Sequence, residues 1–282
     1  VEPLEDKHRI LLTGSNGKLG ELLQAAWRIR DTHGFDIITQ SRGSDADIQW
    51  SPGQPMDGIP PCHSIISLWG RTSGSEQELQ DNIKLAWASR ALASHSGASQ
   101  VFHISSAAIY GPGCNMPEGR TPNPMSAYGL AKLVMERQIA LFRQEDPFAH
   151  VCLRLANVVG ADSLAPAMLS ERALHLDRFS DGKGPRRSYV APGHLSQILV
   201  ALTTCPPNDL PDALNVASSI PVCMDELASA ADIPIIWRDA PETALQEVSL
   251  STDLFASILP NFENAVTAKD MITDWQTCRA KL

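Results

Sequence analysis

Residues 9–20 read Arg9-Ile10-Leu11-Leu12-Thr13-Gly14-Ser15-Asn16-Gly17-Lys18-Leu19-Gly20. A short apolar run, Arg9–Thr13, reads as a strand. It passes through a turn with glycines spaced GxxGxxG into a helical pattern over Lys18–Ile29. The three glycines serve different physical ends. One permits the tight turn, one lets the backbone approach a pyrophosphate, and one lets helix and strand pack closely. The helix start then offers free N–H groups and the positive end of its dipole to phosphates. The stretch reads as a dinucleotide-binding turn. It places Gly14, Ser15, Asn16, Gly17, Lys18, Leu19 and Gly20 beside a cofactor.

Outward from this turn, short apolar runs alternate with longer helical patterns, the signature of a parallel sheet with crossover helices. Strands are expected at Phe35–Thr39, Asp47–Trp50, His63–Leu68, Gln100–Ser105, His150–Ala156 and Leu214–Ala217. Ser51–Pro61, with four prolines and two glycines, is a loop, as is Gly111–Pro124. Ser75-Glu76-Gln77-Glu78 is a capping box that opens a helix with Leu79, Ile83, Ala86 and Trp87 on one face. A second helix is expected over Ala127–Phe142. The pattern weakens beyond strand six. The fold class is α/β: a Rossmann doubly wound parallel sheet with a small C-terminal substrate lobe. The NAD(P)-binding domain would span residues 1–157 with a returning segment near 188–217, and the lobe 158–187 and 218–282.

Choice of dinucleotide turns on the end of strand two. NAD-specific sites place an acid there for the ribose 2′-hydroxyl. The position falls on Gln40-Ser41-Arg42, and Asp36 is at the wrong end of the strand. Arg42 could pair with a 2′-phosphate and Ser41 could donate to it, so NADP is favoured over NAD.

Tyr128-Gly129-Leu130-Ala131-Lys132 sets a phenol and an ammonium four residues apart on one helical face. The ammonium is expected to lower the phenol's pKa, so that Tyr128 can exchange a proton with a substrate oxygen while hydride moves. Lys132 could also bond the nicotinamide ribose. Strand five ends in Ser105-Ser106 and is followed by Ala107-Ala108-Ile109-Tyr110-Gly111. This puts hydroxyls at the carboxyl edge of the sheet, where open α/β sheets place their chemistry. Ser106 could bond the reacting oxygen.

Together these motifs resemble the extended short-chain dehydrogenase/reductases, specifically the NAD-dependent epimerase/dehydratase family. The likeness covers most of the chain and is strongest from Arg9 to Gly160. It implies Ser106, Tyr128 and Lys132 as catalytic residues. It also implies cofactor contacts at Asp47-Ile48, at Leu68, Trp69 and Gly70, and at Asn82, Ser105 and Leu155. Asn157 would reach the substrate phosphates, and Arg187 could hold a diphosphate. Leu214-Asn215-Val216-Ala217-Ser218 resembles the family's late strand. Where many relatives have a small residue, this chain has Trp69. Where the family's dehydratases place acids, it has Ala107 and Ala108, which disfavours water elimination. The resemblance implies a nucleotide-sugar epimerase or oxidoreductase, with a keto-sugar reductase and a catalytically silent dinucleotide sensor as alternatives. A homodimer through helices that include the catalytic one is also implied.

Composition narrows the partners. A net charge of −9 argues against nucleic acid or an anionic membrane. No apolar run suits a membrane span, and the charged start is not expected to be a signal peptide. The six cysteines form no CxxC pair and point to no metal, so reduced thiols in a cytoplasm are expected. His33, His63 and His103 lie beside or within strand patterns and are expected to pack or to face solvent.

Overall fold

The structure, a computed structural model, describes residues 7–30, 32, 34–170 and 173–282. His33 lies outside the described residues. The first half follows the expected alternation. It runs β1 (His8–Thr13), α1 (Lys18–Ile29), β2 (Phe35–Ser41), β3 (Ile48–Gln49) and β4 (Ser64–Ser67). Then come α2 (Glu76–Leu79), α3 (Asp81–Ser96), β5 (Gln100–Ser106), α4 (Ala127–Glu145) and β6 (Ala149–Leu155). The second half contributes β7 (Asn157–Val158), α5 (Ala165–Ser170), β8 (Leu174–Arg178), β9 (Arg186–Arg187), β10 (Tyr189–Val190) and α6 (Pro192–Thr203). It continues with β11 (Ala213–Val216), β12 (Val222–Cys223), α7 (Met224–Ala230), β13 (Ile235–Asp239), β14 (Glu247–Val248), α8 (Asp253–Ile258) and α9 (Ala268–Arg279).

Seven strands form one sheet in the order β11-β6-β5-β4-β1-β2-β3, every pair parallel. The order reverses between β1 and β4, so their C-terminal ends open a crevice where α/β sheets bind ligands. Helices α1 and α6 pack together, as do α3 and α4. Ile10, Leu12, Ile66, Phe102, Leu153 and Leu214 are fully buried in the main core. On the other side, Leu11, Ile65 and Val101 pack with Leu92 and Trp50. A strand covered on both faces must be apolar throughout, which explains runs such as Ile10-Leu11-Leu12.

Two elements differ from the sequence reading. The capping box forms, with Ser75 accepting from the Glu78 N–H and Glu78 accepting from the Ser75 N–H, but α2 closes after one turn and α3 restarts at Asp81. Trp87 is 47 % exposed rather than inward, with its ring edge on Phe142 at 4.6 Å. The buried face of α3 is instead carried by small and polar side chains such as Asn82, Ala86, Ser89 and Ala93. Such a face has no apolar period to read. The second half also contains strands that periodicity missed. Strand β8 pairs in parallel with β13, and the two-residue β9 lies between β12 and β14. These strands are short: β8, β9, β13 and β14 are largely half-exposed or exposed, and the buried β12 has only two residues.

Candidate active site

The glycine-rich turn has the geometry its sequence demands. Gly14 adopts φ +67°. A Cβ on Gly14 would lie 2.8 Å from the Trp69 backbone, and one on Gly20 would lie 2.3 Å from the Ser15 carbonyl oxygen. Ser15 is buried, and both its N–H (3.0 Å) and its hydroxyl (3.1 Å) donate to the Gln40 carbonyl, tying the turn to β2. Gly17 caps α1 with no side-chain acceptor. The N–H groups of Lys18, Leu19 and Gly20 are therefore left for an anion, and Asn16 and Lys18 are exposed beside them. These features fit a dinucleotide pyrophosphate.

At the end of β2, Gln40 braces the turn. Its Oε1 accepts the Gly14 N–H at 3.2 Å, and its Nε2 donates to the Trp50 carbonyl at 2.6 Å. The Ser41 hydroxyl exchanges hydrogen bonds with Gly43, both at 3.0 Å, and Arg42 is exposed beside it. The Asp47 carboxylate accepts from the Thr39 hydroxyl (2.7 Å) and N–H (2.9 Å), and these bonds hold its carboxyl below the usual range. Ile48 packs with Trp50 in the core. The Trp69 backbone crowds Gly14, but its indole donates to the Ser89 hydroxyl at 3.0 Å and lies 6.0 Å from the Trp50 ring. Leu68 packs on the main core.

Ser106 ends β5 and starts a single 3-10 turn, Ala107–Ile109, by accepting the Ala108 N–H at 3.2 Å. Ser126 caps α4 by accepting the Gly129 N–H at 3.0 Å. Helix α4 meets the 3-10 turn so closely that a Cβ on Gly129 would sit 2.4 Å from the Ala108 oxygen. That approach sets Tyr128 against Ser106. Burial pushes the Tyr128 phenol up, and the Ser106 hydroxyl pulls it partly back. The phenol therefore stands above its ordinary value, contrary to the lowering expected from the ammonium. Lys132 is 3 % exposed, and burial pulls it down to about 8. Its Nζ donates to the Ile104 carbonyl at 2.8 Å and lies 6.0 Å from the centre of the Tyr128 ring.

Gly70 completes the arrangement. A Cβ there would lie 2.9 Å from Asn82 Oδ1 and 3.2 Å from Lys132 Nζ. Asn82 is buried, accepts the Arg71 N–H and donates to the Arg71 and Leu79 carbonyls. It fixes the segment that runs past Lys132.

Ser105 does not join the site. Its hydroxyl donates to the buried Glu136, because alternate residues of a strand face opposite sides. Glu136 also accepts from Arg154, with Nη2 at 2.8 Å. Arg154 Nη1 donates to the Tyr110 hydroxyl at 2.7 Å, and Tyr110 donates to Asn215 Oδ1 at 2.8 Å. Burial alone would lower the Arg154 guanidinium, but Glu136 and Tyr110 hold it above its ordinary value. Sequence reasoning missed Glu136 and Tyr110. The available signal was spacing, since Tyr128, Lys132 and Glu136 recur every four residues on one helical face.

A cavity of about 420 Å³ opens beside Ser106 and is lined by Ala107, Ala108, Leu155, Asn157 and Arg187 among others. Leu155 therefore borders this cavity. A second cavity of about 360 Å³ shares Asn157 and Arg187. Arg187 is not free: it donates to the carbonyls of Arg186 (2.7 Å), Gln246 (2.9 Å) and Leu245 (3.0 Å). Burial lowers its pKa. Among the described residues no cluster suited to a metal occurs and no helix is long and apolar enough to cross a membrane. All six cysteines are free thiols. His63 Nδ1 accepts the Arg9 N–H at 2.9 Å, and the buried His103 bonds His150 at 3.0 Å.

A parallel sheet with a glycine-rich first turn, and a Ser-Tyr-Lys group at its carboxyl edge, defines a Rossmann-fold dinucleotide enzyme scaffold. The NAD dependent epimerase/dehydratase family profile matches residues 10–197, and the chain belongs to that family. No curated protein sequence matches it. Solved structures share the fold at low identity. MoeE5, in complex with UDP-glucuronic acid and NAD, is 18% identical with a TM-score of 0.77, covering 97% of this chain and 100% of its own. The UDP-N-acetylglucosamine 4-epimerase of Methanobrevibacter ruminantium M1, in complex with UDP-N-acetylmuramic acid, is 15% identical with a TM-score of 0.74, covering 98% and 99%. TunA, an NAD dependent NDP-hexosamine 5,6-dehydratase, is 19% identical with a TM-score of 0.75, covering 97% and 98%.

Proposed function

We propose that the chain is an NAD(P)-dependent epimerase or oxidoreductase that moves hydride at a carbinol or keto carbon of a nucleotide-linked or related sugar. The observation that carries this reading is the close seating of α4 on the Ser106 turn, with Lys132 buried behind Tyr128. A bound nicotinamide would supply or accept the hydride. Gly14, Gly17 and Gly20, with the free N–H groups of α1, would hold its pyrophosphate. Tyr128, its proton held by burial, donates to the reacting oxygen, and Ser106 donates to the same oxygen as charge develops. Lys132, pulled down to about 8, can return a proton to Tyr128 near neutral pH. Ala107 and Ala108 supply no acid or base for dehydration.

A second reading, an NADPH-dependent keto-sugar reductase, is supported by β2, which ends in Ser41-Arg42 with no carboxylate. Epimerases keep their cofactor through turnover and reductases release it. The test is to purify the protein without added cofactor, denature it, and identify and count the dinucleotide released. Near-stoichiometric release supports an epimerase. An empty protein that binds NADPH reversibly supports a reductase, and neither retention nor binding overturns the catalytic reading. Tyr128→Phe should abolish turnover and leave cofactor binding intact. Retained turnover removes Tyr128 as the acid, whereas a catalytically silent sensor would show none in either form.

We place the substrate lobe at 158–187 and 218–282. We also place a homodimer contact on α3 and α4, where Trp87, Leu130, Val134 and Leu141 are exposed. Light scattering that shows a monomer at assay concentrations would remove that contact.

A further inference from the structure

Four elements behind the Ser106 site are joined by one string of charged and titratable side chains. Arg90 of α3 donates to the Asp146 carboxylate at the end of α4, from Nε to Oδ2 at 2.7 Å and from Nη2 to Oδ1 at 2.6 Å. Asp146 Oδ2 meets His150 Nε2 of β6 at 2.9 Å, and His150 Nδ1 meets His103 Nε2 of β5 at 3.0 Å. Both histidines are buried. The hydride transfer proposed above uses neither imidazole.

The order of bonds fixes the protons. Facing a carboxylate, His150 Nε2 carries a proton, so in the neutral ring Nδ1 is the acceptor and His103 Nε2 the donor. A proton added to His150 Nδ1 would point at the His103 N–H. One extra proton therefore fits only if His103 shifts its own to Nδ1, and two would set N–H against N–H across 3.0 Å. The surrounding charges are mostly positive. Arg143 and Lys132 of α4 act on His103, and Arg143 and Arg90 act on His150 against the single charge of Asp146. Glu145 pairs with Arg90 at 2.9 Å. Cys152, level with His103 on β6, keeps its proton because burial pushes its thiol up to about 12. Burial, and then these charges, hold His103 well below its ordinary value, and burial lowers His150 while Asp146 pulls it partly back. Burial raises the Asp146 carboxyl, but the bonds from Arg90 and His150 hold it below its ordinary value.

The string also lies where it can hold α4. Near the end of that helix Arg143 Nε donates to the His150 carbonyl at 2.7 Å, and nearer its start Lys132 Nζ donates to the carbonyl of Ile104, the residue after His103. From this arrangement we infer that Asp146, His150 and His103 form an acid-sensitive latch, which seats α4, with Tyr128 and Lys132, on β5 and β6 while both imidazoles are neutral and loosens it on proton uptake. An unfolded histidine takes its proton near pH 6.5. Below that value the unfolded chain gains protons that the native pair refuses, so stability falls as pH falls.

The test is urea unfolding of the full chain at pH 6 and pH 5, with His103→Gln beside the wild type. An amide at this position can turn either its N–H or its oxygen to His150, so it keeps the bond and admits a proton. Between pH 6 and pH 5 each imidazole held neutral should raise the unfolding constant about eightfold. The rise should therefore be smaller in His103→Gln by at least about eightfold, and equal rises overturn the inference. Long-range 1H–15N NMR of the wild-type imidazoles needs no variant: His103 should still be neutral at pH 5, and a His103 ring that titrates near 6.5 overturns the inference. Hydrogen exchange locates the loosening. After correction for intrinsic rates, α4 amides should lose protection from pH 7 to pH 5 by a larger factor than α1 amides, and an equal loss in both helices overturns the latch on α4.

Discussion

Gly129→Ala tests whether the approach of α4 to the Ser106 turn is what aims Tyr128. Two effects oppose each other. Alanine is favoured over glycine in a helix by about 1 kcal/mol or less. Against this, the new Cβ would stand 2.4 Å from the Ala108 oxygen and 3.1 Å from the Pro124 side chain. Overpacking of this kind costs about 1–3 kcal/mol. Because the Ala108 oxygen belongs to the backbone and cannot rotate away, the cost lies near the top of that range, about 2–3 kcal/mol, and the packing term wins with a net loss of about 1–2 kcal/mol. At about 2–4 °C per kcal/mol for a domain near this size, the melting temperature should fall by about 2–8 °C. Restoring ordinary contact, 3.4 Å, means opening the gap by 3.4 − 2.4 = 1.0 Å. A displacement of about 1 Å at a reacting group can cost on the order of a hundredfold in rate. Initial rates of NAD(P)H oxidation with a ketone substrate should therefore fall by about that factor, while cofactor affinity changes little. Gly119→Ala is the control, because a Cβ there meets nothing within 4 Å. A Gly129→Ala protein that melts at or above the wild-type temperature with an unchanged rate would refute the reasoning, since helix propensity alone would then govern the site.

Other consequences follow from the same geometry. Lys132 is held at about 8 against an ordinary 10.5, so the unfolded chain binds its proton more tightly between those values and the native state gains stability as pH rises through them. Lys132→Met should abolish that rise, worth up to about 3 kcal/mol, in paired urea melts at pH 7 and pH 10.5, and a pH-independent difference between the two proteins would count against it. Glu136→Gln leaves Arg154 buried without its counter-charge and should destabilise the fold by about 3 kcal/mol or more in denaturant melts. Replacing Glu136 and Arg154 together with methionine should recover part of that loss, and additive losses would show that the pair is not the coupling element. Arg42→Ala should weaken NADPH binding by at least about tenfold relative to NADH in fluorescence titration. An unchanged ratio removes Arg42 from the 2′-phosphate.

The first half of the chain is legible because its local signals have single causes. The strand β1, the glycines at 14 and 20, and the capping box at Ser75 each satisfy one steric or hydrogen-bonding demand, and all three form. Helix α3 is harder to read because its buried face is built of Asn82, Ala86 and Ser89, whose placement depends on partners distant in sequence. Asp47 resembles a cofactor-contacting motif, but the register Gln40↔Ile48 puts it level with Thr39, where a hydroxyl and an N–H claim its carboxylate. Nothing in the local sequence encodes that register.

The buried polar chain Ser105–Glu136–Arg154–Tyr110–Asn215 links features that look separate in the sequence. It joins β5, α4 and β6 to the residue that follows the Ser106 turn and to β11. Arg154 also donates to the Glu118 carbonyl at 2.8 Å, and Asn215 N–H to the Glu118 side chain at 2.8 Å. Asn215 Nδ2 donates to the Met116 and Ser251 carbonyls. The loop beside the Ser106 cavity is thereby tied to the same helix that carries Tyr128 and Lys132. Apolar packing would hold these elements together without fixing their register, whereas a buried network is satisfied in only one arrangement because each missing partner is costly. While they do this, the Ser105 hydroxyl and the Arg154 guanidinium are occupied within the protein. Ser106, at the end of β5, thus keeps its hydroxyl for chemistry, and its neighbours keep that hydroxyl in place.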